Sequence, residues 1–138
     1  MRIFLDTADT DLIRKYHGTG LIDGVTTNPT LIMRSGKDPE DVYQEIQDIG
    51  LKDISMEVMG DSNTMIEEGI RLATKFPNSA TIKVPCTPDG LLACAELSYK
   101  NLIRVNVTLI FDVAQAILAA KAGAAYVSPF VGRLDDNS

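Results

Sequence analysis

The sequence predicts an α/β fold built from successive βα units, and three observations carry that expectation. Short apolar, β-branched runs alternate with helical patterns along all 138 residues, no Pro/Gly/Ser linker or low-complexity stretch interrupts them, and polar residues recur at the C-terminal ends of the strand candidates. This alternation builds a parallel sheet, because parallel neighbours need a helical crossover. With 45% apolar and 23% charged residues, the chain fits one domain over 1–138 with a sizeable core.

Taken in order, the strand candidates are Ile3 to Asp6, Ile22 to Thr26, Ile54 to Val58, Thr81 to Pro85, Arg104 to Thr108 and Ala125 to Ser128. Helical segments lie between them. Asp38 followed by Pro39, and Thr87 followed by Pro88, combine an N-cap side chain with proline at the first helical position. Gly18, Gly50 and Gly123 suit helix C-termini. Met65, Ile66, Ile70 and Ala73, and later Val113, Ile117 and Ala120, keep helical apolar spacing.

Within the strands one parity is apolar: Ile3 and Leu5, Met56 and Val58, Ile82 and Val84, Val105 and Val107. The other parity puts Asp6, Glu57, Lys83, Asn106 and Ser128 at or near the C-terminal ends. With the apolar parity against helices, the polar parity converges at one end, where a (β/α)8 barrel keeps its catalytic groups. An open doubly wound sheet also gathers ligands at strand C-termini. Neither GxGxxG nor GxxxxGK[ST] occurs, which weakens a nucleotide-binding reading.

Charge and cysteine usage exclude further classes. Thirteen Lys+Arg against nineteen Asp+Glu give a formal charge of −6 with the basic residues scattered, which disfavours nucleic acid and anionic membranes as partners. The apolar run at the N-terminus is too short for a signal peptide, and no stretch approaches the roughly 20 apolar residues of a membrane span, so a cytoplasmic location is expected. Cys86 and Cys94 lack metal-site spacing and His17 is the sole histidine, so no metal, no cofactor and no Ser-His triad are expected. Both cysteines read as small, reduced, buried residues, with Cys86 sensitive to oxidation through its closeness to Lys83. Asp135 and Asp136 read as solvated acids at a chain end.

Lys83 is the residue most suggestive of chemistry, because Thr81-Ile82-Lys83-Val84-Pro85 puts it in a buried strand. Desolvation penalises the ammonium and favours the neutral amine, which attacks a carbonyl to form a Schiff base. A buried salt bridge with Asp6 or Glu57 is the other reading. Those two carboxylates could share proton transfers in sugar chemistry or simply neutralise the lysine. Thr26, Asn28, Asn106, Thr108 and Ser128 offer neutral donors and acceptors suited to sugar hydroxyls, in positions where structural polar groups also occur. Arg133, in the turn after the last strand, suits a bidentate phosphate contact or a surface pair with Asp135 or Asp136.

Together these segments resemble the transaldolase family, in particular the short form shared with the fructose-6-phosphate aldolases. The matching runs are Ile3-Phe4-Leu5-Asp6-Thr7-Ala8, the ten residues from Asp23 to Ile32, Thr81-Ile82-Lys83-Val84-Pro85 with Asp89-Gly90-Leu91, Asn106-Val107-Thr108-Leu109-Ile110-Phe111, and Tyr126 to Asp136. The resemblance implies a TIM barrel and a class I, metal-free transfer of a dihydroxyacetone unit from a ketose phosphate to an aldose phosphate, as in the pentose phosphate pathway. It gives Lys83 the Schiff base, Glu57 an acid/base role through a water held with Thr108, and Asp6 the proton of the cleaved hydroxyl. Asn28, Asn106 and Ser128 match contacts to the dihydroxyacetone unit, and Arg133 matches a phosphate ligand. Glu57 and Phe130 are of the transaldolase type, where the aldolases tend to carry glutamine and tyrosine, so transfer is expected over cleavage.

The alternatives are a fructose-6-phosphate aldolase and a noncatalytic family member that acts as a binding or assembly partner. Family resemblance also makes a homo-oligomer an open expectation. Strand starts at 3, 22, 54, 81, 104 and 125 average about 24 residues per βα unit, so eight units would need roughly 195 residues. An incomplete barrel of about six βα units is therefore expected.

Overall fold

The computed structural model describes residues 1–131, and all six expected strands are present in the expected order. The described chain groups into two compact units, one formed by Met1–Glu57 with Phe76–Thr81 and the other by Val58–Lys75 with the residues from Ile82 onward.

The first unit contains β1 (Phe4–Asp6), α1 (Thr10–His17), β2 (Gly24–Thr26), α2 (Pro29–Ser35), α3 (Pro39–Ile49) and β3 (Ile54–Glu57). Its strands are parallel, with Asp6 opposite Thr26 and Thr26 opposite Ser55. This register puts Val25 and Ile54 on one pleated face and Asp6, Thr26, Ser55 and Glu57 on the other. Ile13, Val25, Val42, Ile46, Ile54 and Met56 are fully excluded from solvent, and Tyr43 meets Phe76 edge to face with ring centroids 6.1 Å apart. Gly24 is required where it stands. A Cβ there would run into the Phe4 ring and come within 2.6 Å of the Asp53 carbonyl.

The helix ends follow local chemistry. Asp38 and Asn28 cap α3 and α2, each with proline in the first turn, and Gly36 and Gly50 close those helices in the left-handed region. Gly18 does end α1, but with right-handed backbone, and the left-handed turn falls two residues later at Gly20.

The second unit contains α4 (Ser62–Lys75), most of β4 (Ala80–Pro85), α5 (Pro88–Ala95), a π-helical turn (Glu96–Lys100), β5 (Val105–Ile110), α6 (Val113–Lys121) and β6 (Tyr126–Pro129). β4, β5 and β6 pair in parallel. On α4 the buried stripe is Met65, Gly69 and Leu72, and Gly69 lets the helix close on Leu97 and Ile82. Ile66 is half-buried and Ile70 is exposed, so the stripe is centred on the glycine instead of the Ile66–Ile70 edge that apolar spacing suggested.

Two residues after the π-helical turn Leu102 takes a left-handed backbone, and the Ile103 amide bonds back to the Leu97 carbonyl. From that turn the hydroxyls of Ser98 and Tyr99 donate to the carbonyls of Gly123 and Lys121. Helix α6 forms as expected, yet Val113, Ile117 and Ala120 are exposed among the described residues and only Ala119 is buried. No helix among the described residues is long and apolar enough to cross a membrane.

Asp53 lies just before β3 and is almost fully buried. It accepts a hydrogen bond from the Thr81 hydroxyl at 2.7 Å and sits 3.8 Å from the Arg2 guanidinium. The Asp53→Ala substitution strands the Thr81 hydroxyl and is expected to cost about 1–3 kcal/mol in urea unfolding, with most of the loss recovered when Thr81→Val is added. An additive double variant would show that the two residues do not act as a pair.

Candidate active site

Strand β4 carries Lys83, which is only 3% exposed. The register of the second unit aligns Lys83 with Asn106, and Thr108 with Ser128. Side chains alternate along a strand, so Lys83, Asn106, Thr108 and Ser128 project from one face, and Ile82, Val84, Val105 and Val107 from the other. The closeness of Ile82 to Gly69 of α4 identifies the apolar face as the helix-covered one.

On the polar face, the Ser128 hydroxyl donates to Asn106 Oδ1 at 2.8 Å, which fixes the orientation of that amide. Thr108 is 1% exposed, and its Oγ1 has no hydrogen-bond partner among the described residues. A buried hydroxyl without a partner is costly, which marks a place for a water or ligand. Phe130 follows β6, meets Phe111 at a centroid distance of 6.3 Å, and its amide donates to the Ile110 carbonyl.

The end of β4 is held by its sequence. Thr87 caps α5 by accepting from the Gly90 amide, and Pro88 occupies the first helical turn. Gly90 is essential to this corner, because any Cβ would overlap the Pro85 carbonyl. The Cys86 amide donates to the Thr108 carbonyl at 2.9 Å, joining the ends of β4 and β5.

The first unit holds a second group of predicted residues. The Thr26 hydroxyl donates to Asp6 Oδ1 at 2.9 Å, so Thr26 orients a carboxylate that is itself exposed. Glu57 ends β3 and is half-buried. Asn28 uses Oδ1 to cap α2 by accepting from the Leu31 amide, which leaves the Nδ2 donors for another partner. Ser55 was missed in the sequence. It shares the face of Thr26 and Glu57, is 1% exposed, and its only signal is its parity with Glu57. Arg133 lies outside the described residues.

The cysteines differ from each other. Cys94 is buried and donates weakly to the Ala122 carbonyl, and burial pushes its thiol up to about 11. Cys86 is only half-buried, which corrects the expectation that both are buried. Burial, with Asp112 adding to it, pushes its thiol up as well. Oxidation proceeds through the thiolate, so this shift works against the sensitivity expected of Cys86.

The family model described as Transaldolase/Fructose-6-phosphate aldolase matches residues 3–138. The chain belongs to this family. A probable transaldolase of Geobacter sulfurreducens is 55% identical over 139 residues, covering all of this chain and 64% of the relative. A probable transaldolase of Nitrosopumilus maritimus is 51% identical over 99% of this chain and 61% of its own length. The chain thus spans about three fifths of the length of these curated relatives. The carboxyl transferase domain of Rhizobium etli pyruvate carboxylase, solved with oxamate and biotin, covers 99% of this chain and 30% of its own at a TM-score of 0.60. At 12% identity that likeness concerns the fold alone.

The two thiols give a direct check on the packing around β4 and α5. Iodoacetamide on the native protein near pH 8 is expected to label Cys86 slowly and Cys94 only after denaturant is added, as read by peptide mass. Raised thiol values mean that the folded state favours the protonated form. Stability is therefore expected to fall as pH rises from about 8.5, the free thiol value, toward 11, the value for Cys94. Equal labelling of both residues in the native state would contradict the burial of Cys94.

Proposed function

We propose that this chain acts as a transaldolase, moving a dihydroxyacetone unit from a ketose phosphate to an aldose phosphate through a Schiff base on Lys83. The observation that supports this most is the setting of Lys83: buried in mid-strand, in register with Asn106, on the face that also carries Thr108 and Ser128. A lysine held in mid-strand beside hydrogen-bonding side chains, with its chain withdrawn from bulk water, suits the attack on a carbonyl that this reading gives it.

In the proposed reaction the neutral amine adds to the C2 carbonyl of the donor. Loss of water from the carbinolamine then leaves an iminium ion. Asp6 takes the proton of the C4 hydroxyl, the C3–C4 bond breaks, and its electron pair moves into the enamine while the aldose phosphate departs. The enamine then attacks the acceptor aldehyde, and the steps run in reverse to release the new ketose phosphate. The orientation of Asp6 by the Thr26 hydroxyl suits a base with a defined lone-pair direction. The unpartnered Thr108 hydroxyl suits a bound water, the role that family resemblance gives it with Glu57. Asn106, held by Ser128, is proposed to contact the dihydroxyacetone hydroxyls, as are the Nδ2 donors of Asn28. Arg133 is proposed as a phosphate ligand on the sequence match.

Phe130 favours transfer over cleavage, since a phenyl ring offers no hydroxyl to protonate the enamine. Fructose 6-phosphate and borohydride are expected to fix an adduct on Lys83, mapped by peptide mass, and Lys83→Met is expected to abolish it. Absence of an adduct on the folded chain would overturn the reading. Product is expected only when an aldose phosphate acceptor is added. Release of free dihydroxyacetone without acceptor would favour the aldolase.

A further inference from the structure

β5 does not run straight to its end. Its pairing with β6 is regular through Val107 opposite Val127 and Thr108 opposite Ser128, but the next pair is Ile110 opposite Pro129. One extra residue, Leu109, is inserted on the β5 side, and its backbone lies in the left-handed region at φ 60°. A leucine rarely adopts that conformation, and its use in a bulge points to a local purpose.

The bulge changes which face each following residue occupies. In a regular strand Ile110 would come next after Asn106 and Thr108 on the polar face. The inserted residue pairs it with Pro129 instead, on the face of Val105 and Val107, where it is 3% exposed. Thr108 thus becomes the last residue of β5 on the polar face, and its buried hydroxyl has no partner among the described residues. The same shift places the Ile110 carbonyl to accept from the Phe130 amide at 3.0 Å.

We propose that Leu109 is a positioning residue: its left-handed bulge ends the Lys83 face at Thr108 and, through the Ile110 carbonyl, sets the place of Phe130. The inference rests on the catalytic reading above. Its test therefore pairs the rate of borohydride trapping on Lys83 with a readout that needs no catalysis, hydrogen-exchange protection of the Phe130 amide.

Leu109→Ile puts a β-branched residue where φ is positive. It is expected to slow trapping by roughly 10- to 100-fold, as for a misplaced catalytic contact, and to lose Phe130 protection while circular dichroism is retained. Leu109→Gly keeps the bend and is expected to restore both. In a Thr108→Val background, Leu109→Ile is expected to slow trapping no further, which a merely structural role would not produce.

Parental trapping and protection in a folded Leu109→Ile variant would overturn the proposal, as would a Leu109→Gly loss equal to that of Leu109→Ile. Should Leu109→Ile not fold, Leu109→Ala takes its place: glycine at least as fast as alanine supports the bend, and alanine faster than glycine overturns it. If the parent chain forms no adduct, the catalytic reading fails, and the bulge's hold on Phe130 is decided by amide protection alone.

Discussion

The pleat of β4 and β5 is the constraint on which the rest depends, because it separates an apolar face from the one that carries Lys83. Ile82, Val84, Val105 and Val107 are all fully excluded from solvent on one face of β4 and β5. Each such side chain contributes roughly 1.5–3 kcal/mol relative to exposure, so this face fixes the register that places Lys83, Asn106 and Thr108 on the opposite one. A slip of one residue in this register would exchange the faces, so Gly69, which lets α4 close on Ile82, protects the polar face from the far side.

The polar groups on these faces are held by short, local means. Thr26 turns Asp6, Ser128 turns Asn106, and the Leu31 amide holds Asn28. In each case a hydrogen bond to one oxygen fixes the plane of the group. Fixing orientation before a ligand arrives lowers the entropy lost on binding. Asn28 is fixed by the start of a helix, since its oxygen caps α2.

What the sequence revealed follows from how directly each feature is encoded. The six strands and the caps at Asp38 and Thr87 were legible because parity and side-chain caps are written in residue types. The polar set Asp6, Glu57, Lys83, Asn106 and Ser128 was legible for the same reason. Ser55 was hidden because a small hydroxyl inside Ile54-Ser55-Met56 resembles a packing choice. The end of β5 was placed two residues early, because Thr-Leu-Ile carries no glycine or asparagine to announce a left-handed bulge. The burial of α4 was misjudged since Gly69, invisible to an apolar count, is the point of closest approach. The exposure of Val113 and Ile117 could not be read at all, because periodicity tells where a stripe lies on a helix and not what covers it.

The π-helical turn gives β6 an anchor of an unusual kind. Ser98 and Tyr99 grip the carbonyls of Gly123 and Lys121, and from there the chain enters the strand that bears Ser128. The connection is therefore tied by side chains and not by backbone ladder alone. It has the form of a strut, with two side-chain hydrogen bonds bracing the π-helical turn against the segment that leads into β6. The helical periphery and the start of the strand that bears Ser128 are thus parts of one mechanical element.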